Sequence, residues 1–145
     1  MCSSDLMAAR AQLVEKVIAP ALKQGRTIVC DRFLWSTAAY QGAAMGLGVD
    51  NVLEMGRIAT SGLEPDLYLV VLVPPEIARV RHNGRFDRIE SRGIDYQTSV
   101  IAAYRQLASR FPDRAAVVDG SGTMDEVFEA AWQEVQRVLD SHSRA

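Results

Sequence analysis

A run of seven apolar residues, Leu67–Val73, is the clearest strand signal in this 145-residue chain. It begins after Glu64-Pro65-Asp66 and ends at Pro74-Pro75, where proline cannot continue a central strand. A shorter apolar run, Thr27–Cys30, predicts a strand that is buried on both faces, and Ala115–Val118 predicts another. Amphipathic helical patterns separate these runs. Strands that alternate with helices predict an α/β fold with a parallel sheet and right-handed crossovers.

The helical segments are bounded by glycines and turn residues. The first pattern starts at Met7 and closes at Gly25, where glycine favours a helix C-terminus. Later helices are predicted from near Ser36 with a break at Gly42, Gly46 and Gly48, and then over 50–60, 95–109 and 124–140. The pattern contains no repeat, low-complexity tract or linker, and the length favours a single domain.

The composition argues against several classes of function. A net charge of −2 gives no whole-chain field that attracts nucleic acid or an anionic membrane, so we expect neither as a partner. No apolar run reaches the length of a membrane span. Two cysteines, Cys2 and Cys30, are too few for a disulfide scaffold and favour a cytoplasmic location.

Polar residues follow the predicted strands at the edge of the sheet where ligands bind in open α/β folds. Asp31-Arg32 follows the first run, and Asp119-Gly120-Ser121 follows the last. A carboxylate in such a place can hold Mg²⁺ through water, and a guanidinium can clamp a phosphate with its planar fork. By residue type alone, Asp31-Arg32 fits a strand-capping salt bridge equally well.

An arginine-rich segment follows the long strand. Taken alone, such a run favours a solvated face, although it follows a strand and contains a possible hinge at Gly84. Its members are Arg79, Arg81, Arg85, Arg88 and Arg92.

The run Asp31-Arg32-Phe33-x-x-Ser36-Thr37-x-Ala39-Tyr40-Gln41-Gly42 closely resembles the signature of the thymidylate kinases. Weaker resemblances follow in family order and extend the likeness over residues 7–140; they are Met7-Ala8-Ala9-Arg10-x-Gln12, Pro65-Asp66-Leu67, Pro75-Glu76, Asp87-Arg88-Ile89-Glu90 and Val118-Asp119. The resemblance implies a P-loop NTPase-like parallel sheet flanked by helices. It also implies transfer of the γ-phosphoryl group of ATP to dTMP, with Mg²⁺ and a homodimer.

The resemblance implies an acceptor site in which each residue has a role. Arg32 would bind the phosphate of dTMP, and Arg10 would reach the thymine carbonyl. Ser36 and Thr37 would face the base, and Tyr40 would occupy the space of a ribose 2′-hydroxyl. The whole implied dTMP-binding set is Arg10, Arg32, Ser36, Thr37, Tyr40, Gln41 and Tyr104.

The resemblance also implies a donor site and catalytic arginines. Lid arginines would close over ATP and stabilise charge on the transferred phosphoryl oxygens. The implied catalytic residues are Asp31, Arg32, Arg79, Arg81 and Arg88, with Asp31 holding Mg²⁺ through water. The implied ATP-binding residues are Arg79, Arg81, Asp119, Gly120 and Ser121.

One element of the family pattern is missing from the sequence. The family opens with a strand and a glycine-rich loop ending in Gly-Lys-Ser/Thr, which holds the ATP phosphates, and the chain contains no such motif. We expect residues 1–6 to be adapter-derived rather than native, and residues 7–145 to be one nucleotide-kinase domain truncated before its first strand. Leu6 stands where the family stacks a Phe on thymine. Such a fragment is expected neither to fold stably nor to catalyse.

Two alternatives stay open at this point. The chain could derive from another P-loop kinase that acts on a different nucleotide or nucleoside, which an acceptor screen would decide. It could also be a non-catalytic nucleotide-binding protein that has lost its phosphate loop, which the upstream DNA would decide.

Overall fold

The computed structural model describes residues 3–81 and 93–143. The chain divides into two compact units, Met1–Glu64 and Pro65–Ala145. Within the described residues, no helix combines the length and the apolar character needed to cross a membrane.

The first unit consists of an interrupted helix followed by two further helical segments. Its elements are α1 (Ser3–Leu13), a π-helical segment (Val14–Ile18), α2 (Ala19–Lys23), α3 (Leu34–Thr37), a second π-helical segment (Ala38–Ala43) and α4 (Val49–Ala59). The glycine break before α4 was predicted, and Gly46 and Gly48 there have φ values of 78° and 85°. Such left-handed backbone is accessible to glycine without a steric penalty.

Gly25 ends α2 as the sequence predicted. Its N–H donates to the carbonyl of Leu22 at 2.9 Å, and the N–H of Arg26 donates to the carbonyl of Ala21 at 3.1 Å. Gly25 has φ of 72°, so these two bonds form a Schellman motif that satisfies carbonyls at the end of the helix.

The core of the first unit lies where α3 packs against α4. Leu34 and Val52 are 1% and 2% exposed, and Trp35 is 4% exposed. The helices approach closely at Gly56, because a Cβ atom there would overlap the side chain of Leu34. This close approach fixes α3, which carries the signature residues, against α4.

The predicted strand Thr27–Cys30 is wrong for this structure. Residues 26–30 have no regular secondary structure, and the side chain of Val29 is 95% exposed rather than buried. An apolar run becomes a strand only when a neighbouring strand supplies backbone partners. Among the described residues, the sheet has two strands, and neither pairs with residues 27–30.

The second unit contains a parallel sheet flanked by helices, as predicted. Its elements are β1 (Tyr68–Leu72), α5 (Pro75–Arg81), α6 (Ile94–Arg110), a 3₁₀ turn (Pro112–Arg114), β2 (Ala115–Asp119) and α7 (Met124–Ser143). The register pairs Tyr68 with Ala115 and Leu72 with Asp119. Both strands therefore end at the same edge, where Gly120 donates its N–H to the carbonyl of Leu72 at 2.8 Å.

Side chains of β1 alternate between the interior and the surface. Tyr68, Val70 and Leu72 are buried, whereas Leu69 and Val71 are 37% and 45% exposed. The strand is thus covered on one face only, although its sequence is continuously apolar. Leu69 and Val71 of β1 are therefore left at the surface of this unit.

Candidate functional site

Arg10 is the centre of a polar network in the first unit. Its Nη1 donates to Thr37 Oγ1 at 3.0 Å, and its Nη2 donates to the carbonyl of Phe33 at 3.1 Å. Its guanidinium carbon lies 5.4 Å from the centre of the Phe33 ring, within range of a cation–π interaction. One side chain therefore joins α1 to both ends of α3.

Arg32 lies in the turn that leads into α3. It has φ of 61°, a left-handed conformation that is uncommon for a residue with a side chain. Its guanidinium carbon lies 5.3 Å from the centre of the Tyr40 ring. Arg32 is exposed and Tyr40 is half-buried, so a cation stacked on an aromatic face is open to solvent.

The remaining signature residues line the same helical segment. Thr37 is 3% exposed, and Ser36 and Gln41 are half-buried. The N–H of Ser36 donates to the Phe33 carbonyl at 3.2 Å. The first unit thus contains six of the seven residues predicted to bind dTMP. They lie on α1, in the turn before α3, and on α3 with the π-helical segment that follows it.

The seventh residue of that set belongs to the second unit. Tyr104 is half-buried on α6, one residue beyond the buried Ala103. Its predicted role in binding dTMP stays a prediction.

Asp31 precedes Arg32 in the same turn and is exposed. Among residues 3–81 and 93–143, no three side chains of the His, Cys, Asp and Glu types converge as metal ligands would. A lone carboxylate nevertheless fits Mg²⁺, which commonly binds one or two carboxylates, several waters and the substrate phosphates.

Arg81 joins the predicted donor-site residues of the second unit. Its Nη1 donates to the carbonyl of Gly120 at 2.6 Å. Its Nη2 donates to the carbonyls of Ser121 and Gly122 at 2.7 and 2.6 Å. The guanidinium at the end of α5 therefore holds the loop that follows β2.

Four other arginines were predicted to form the lid, and they are Arg79, Arg85, Arg88 and Arg92. Arg79 is exposed on α5. The predicted residues Arg85, Arg88 and Arg92 lie outside the described residues.

Asp119 closes the loop after β2 with a short turn. Its Oδ1 accepts hydrogen bonds from the hydroxyl and the backbone N–H of Ser121 at 2.6 and 2.9 Å. These two bonds favour the ionised carboxylate and lower the pKa of Asp119 below its ordinary value. Gly120 has no room for a side chain, because a Cβ atom there would lie 2.6 Å from Val73.

The helix α7 begins with a capping box that the sequence reasoning missed. Glu126 Oε2 accepts from the backbone N–H of Thr123 at 2.7 Å and from its hydroxyl at 2.9 Å, and the N–H of Glu126 faces Thr123 Oγ1 at 3.3 Å. The backbone and hydroxyl bonds from Thr123 lower the pKa of Glu126. The signal was present in the spacing Thr-x-x-Glu before an amphipathic helix.

Two further residues of the site were not singled out from the sequence. The carbonyl of Phe33 accepts from Arg10, and the carbonyl of Gly122 accepts from Arg81. No sequence signal identifies either, because every residue has a backbone carbonyl and only the fold decides which one a distant arginine meets.

Comparison with known proteins identifies relatives along most of the chain. The family profile described as thymidylate kinase matches residues 5–131. A thymidylate kinase from Synechococcus sp. (strain JA-2-3B'a(2-13)) is 39% identical over 127 residues, which are 88% of this chain and 61% of that protein. A thymidylate kinase from Kosmotoga olearia is 38% identical over 130 residues, covering 88% of this chain and 62% of the relative.

A third relative gives the same result over a longer match. The thymidylate kinase of Leuconostoc mesenteroides is 36% identical over 140 residues, which are 94% of this chain and 66% of that protein. The chain thus spans a little over three-fifths of the length of the relatives that it matches. The resemblance in the Asp31–Gly42 run is confirmed, and the chain belongs to the thymidylate kinase family.

Proposed function

We propose that the protein containing this chain transfers the γ-phosphoryl group of ATP to dTMP and gives dTDP. The observation that carries the proposal is that Arg10 is bonded to Thr37 and Arg32 is stacked on Tyr40, in a chain that belongs to the thymidylate kinase family. A buried hydroxyl and two guanidinium groups in one region suit a ligand with a polar base edge and a phosphate. The relatives lend no support to a different P-loop kinase or to a non-catalytic binding protein.

Recognition of dTMP would use the residues of the first unit. Arg32 would bind the acceptor phosphate, since a guanidinium fork matches phosphate oxygens. Ser36, Thr37 and Gln41 would contact the base edge together with Arg10, and the ring of Tyr40 would fill the space of a 2′-hydroxyl. An oxygen of the bound dTMP phosphate is already anionic, so the attack on ATP requires no general base.

Binding of ATP would use the second unit. Asp119, Gly120 and Ser121 would border the adenine, on a loop that Arg81 holds through three carbonyl oxygens. Arg79 would approach the phosphates, and Arg88, outside the described residues, would complete the lid. Positioning and charge stabilisation supply nearly all of the catalysis of phosphoryl transfer.

Asp31 would hold Mg²⁺ through a water molecule at the turn before Arg32. When bound, the cation neutralises charge on the phosphates of ATP. The contribution of this chain is the exposed carboxylate of Asp31 in that turn.

The proposed reaction also needs a phosphate-binding loop. We infer that a first strand and a Gly-Lys-Ser/Thr loop, which this sequence does not contain, complete the sheet and the donor site. The apolar run 27–30, in which Val29 is 95% exposed, supports this inference, because a neighbouring strand would supply backbone partners for it.

A homodimer in the cytoplasm is part of the proposal. Met55 and Ile58 are 47% and 68% exposed on α4 and would contribute an apolar patch to a dimer contact. Cys30, an unpaired thiol, suits a reducing compartment. The net charge of −2 gives no reason to add nucleic acid as a partner. Sedimentation of the intact protein tests the dimer.

The test of the reaction uses a protein of full family length. In the chimaera, this chain replaces the matching part of the Synechococcus thymidylate kinase. We expect ADP release that depends on dTMP, with dCMP, dAMP and dGMP as much poorer acceptors. A folded chimaera that prefers one of the other three nucleotides would overturn the proposed acceptor.

A further inference from the structure

The carbonyl of Phe33 is the meeting point of two hydrogen bonds. It accepts from Arg10 Nη2 at 3.1 Å and from the N–H of Ser36 at 3.2 Å. The ring of the same Phe33 lies under the Arg10 guanidinium at 5.4 Å. Arg10 therefore contacts both the backbone and the side chain of Phe33, the residue that follows Arg32.

Phe33 follows Arg32, and the backbone of Arg32 is strained. Arg32 has φ of 61°, and a residue with a side chain keeps that conformation only where its surroundings hold it. Cys30 Sγ is 3.9 Å from the Arg32 carbonyl, a weak contact within the turn. The bond from Arg10 is charge-assisted and is therefore the stronger restraint on the peptide that follows Arg32.

Thr37 fixes the other end of the Arg10 fork. Its hydroxyl accepts from Arg10 Nη1 at 3.0 Å, and the side chain is 3% exposed. Because Phe33 precedes α3 and Thr37 ends it, the guanidinium is held across the whole helical turn. Two of its nitrogens are thus bonded to the protein, in addition to any contact that Arg10 makes with a base.

We propose that Arg10 is a positioning residue for Arg32. By holding Phe33 and Thr37, Arg10 keeps the turn in the conformation that directs the Arg32 guanidinium over Tyr40. This inference rests on the proposed function and extends it: a residue assigned to the thymine base also sets the strength with which the acceptor phosphate is bound.

The phosphate contribution to binding separates this role from contact with the base. It is the ratio of the dissociation constant of thymidine to that of dTMP, two ligands that differ only in the phosphate. Loss of a base contact raises both constants by the same factor and leaves the ratio unchanged. Displacement of Arg32 lowers the ratio.

The test is calorimetric titration of both ligands into the Arg10→Lys variant of the chimaera. Lysine keeps the charge but cannot bond Phe33 and Thr37 with one planar fork. We expect the ratio to fall about tenfold, since hydrogen bonds to charged groups are among the stronger ones in proteins. An unchanged ratio, with both constants raised equally, would overturn the inference.

The matched control is Arg57→Lys. Arg57 lies on α4 in the same unit and forms a bidentate pair with the Glu54 carboxylate at 2.8 and 3.1 Å. Arg57→Lys thus removes an equivalent planar fork at a position away from the signature residues. The ratio is expected to stay at its wild-type value, and a fall equal to that of Arg10→Lys would count against a specific role for Arg10.

Arg32→Lys and Arg10→Lys, alone and combined, form a double-mutant cycle. This change should lower the ratio by itself, and in its background Arg10→Lys should change the ratio by less than about twofold, as expected for residues that act through one another. An undiminished effect of Arg10→Lys in that background would overturn the inference. Circular dichroism on every variant separates unfolding from altered binding.

Thr37 gives a further check with a conservative rescue. Thr37→Val removes the hydroxyl that holds Arg10 and should lower the ratio, whereas Thr37→Ser retains it and should restore the ratio. Failure of the wild-type chimaera to bind dTMP would contradict the proposed function and the inference together. Normal wild-type binding with an unchanged ratio in both Arg10→Lys and Thr37→Val would contradict the inference alone.

Discussion

In the first unit, an arginine bonds a specific side chain and one carbonyl, whereas in the second unit an arginine bonds three consecutive carbonyls. Arg10 meets the Thr37 hydroxyl and Phe33, and Arg81 meets the backbone of residues 120–122. The first arrangement depends on residue identity at fixed spacing. The second depends on the path of a loop, which many sequences could follow.

This contrast predicts different sensitivities to substitution. Acceptor recognition should respond to changes of side-chain chemistry at single positions. Donor recognition should respond to changes that release the loop, and its side chains should tolerate more variation. Substitutions in each unit can test that division.

The largest effect concerns the phosphate loop that both units lack. Purified alone, the 145-residue chain should release no ADP in the presence of dTMP, since it contains no Gly-Lys-Ser/Thr motif, and it should melt without a sharp transition. A coupled ADP assay and a thermal melt measure both. A cooperative melt together with dTMP-dependent ADP release from the chain alone would contradict the prediction.

Arg32→Lys should have the largest effect of any single substitution in the first unit. In the chimaera we expect kcat/KM for dTMP to fall on the order of a hundredfold, as for removal of one preorganised electrostatic donor. Steady-state kinetics measures it, with Arg57→Lys as the matched control. Near-normal turnover would show that the guanidinium fork is not required for the acceptor phosphate.

Tyr40→Ala should weaken the discrimination against ribose. Removal of the ring opens the space of the 2′-hydroxyl and also removes the surface under the Arg32 guanidinium, 5.3 Å away. We expect the preference for dTMP over its ribose counterpart to fall about tenfold, which corresponds to about 1.4 kcal/mol. Tyr40→Phe keeps the ring and should keep the preference for dTMP. An equal preference in the wild type and in Tyr40→Ala would contradict a steric role for Tyr40.

Arg81→Lys tests the loop arrangement of the second unit. A single ammonium cannot match the fork that reaches Gly120, Ser121 and Gly122. We expect the KM for ATP to rise several-fold, up to about tenfold, and the KM for dTMP to stay within twofold. Arg79→Lys, on the same helix, is the comparison. A selective effect of Arg81→Lys on dTMP would break the division between the units.

The smallest effect is a pH-dependent loss of stability at the start of α7. The bonds from Thr123 lower the pKa of Glu126 from the ordinary value of 4.5, so their stabilisation is present above that pH and is lost as the pH falls through the lowered folded-state pKa. In the chimaera, Thr123→Ala should therefore lower the Tm at neutral pH, and the difference from wild type should shrink on acidification.

Thr98→Ala is the control for that measurement. Thr98 is exposed on α6, so its small effect on Tm should not vary with pH. A Thr123→Ala difference that is constant from neutral to acidic pH would argue against the carboxylate of Glu126 as its source.

The sequence predicted those parts of the molecule that depend on local chemistry. Gly25 was predicted to end a helix because glycine adopts the left-handed conformation, and its Schellman bonds are present. The signature residues of the first unit were recognised through the family resemblance, and two of the predicted site residues, Arg10 and Thr37, are in contact. The parallel pairing of β1 and β2 followed from the alternation of strands and helices.

The failures depend on partners that a single segment does not specify. Thr27–Cys30 has the composition of a buried strand, but strand pairing is a property of two segments, and none of the described ones pairs with it. The bonds from Arg10 to the Phe33 carbonyl and from Arg81 to the Gly122 carbonyl could not be foreseen, because backbone acceptors carry no residue-specific signal.

The burial of Trp35 makes the first unit observable by itself. Each unit holds one tryptophan, since Trp35 lies in the first and Trp132 in the second, and they are 4% and 42% exposed. Iodide should therefore quench the fluorescence of Trp132 and leave that of Trp35 largely unchanged. Because Trp35 is two residues from Thr37, the unquenched fraction of the fluorescence becomes an optical signal for ligand binding in the first unit.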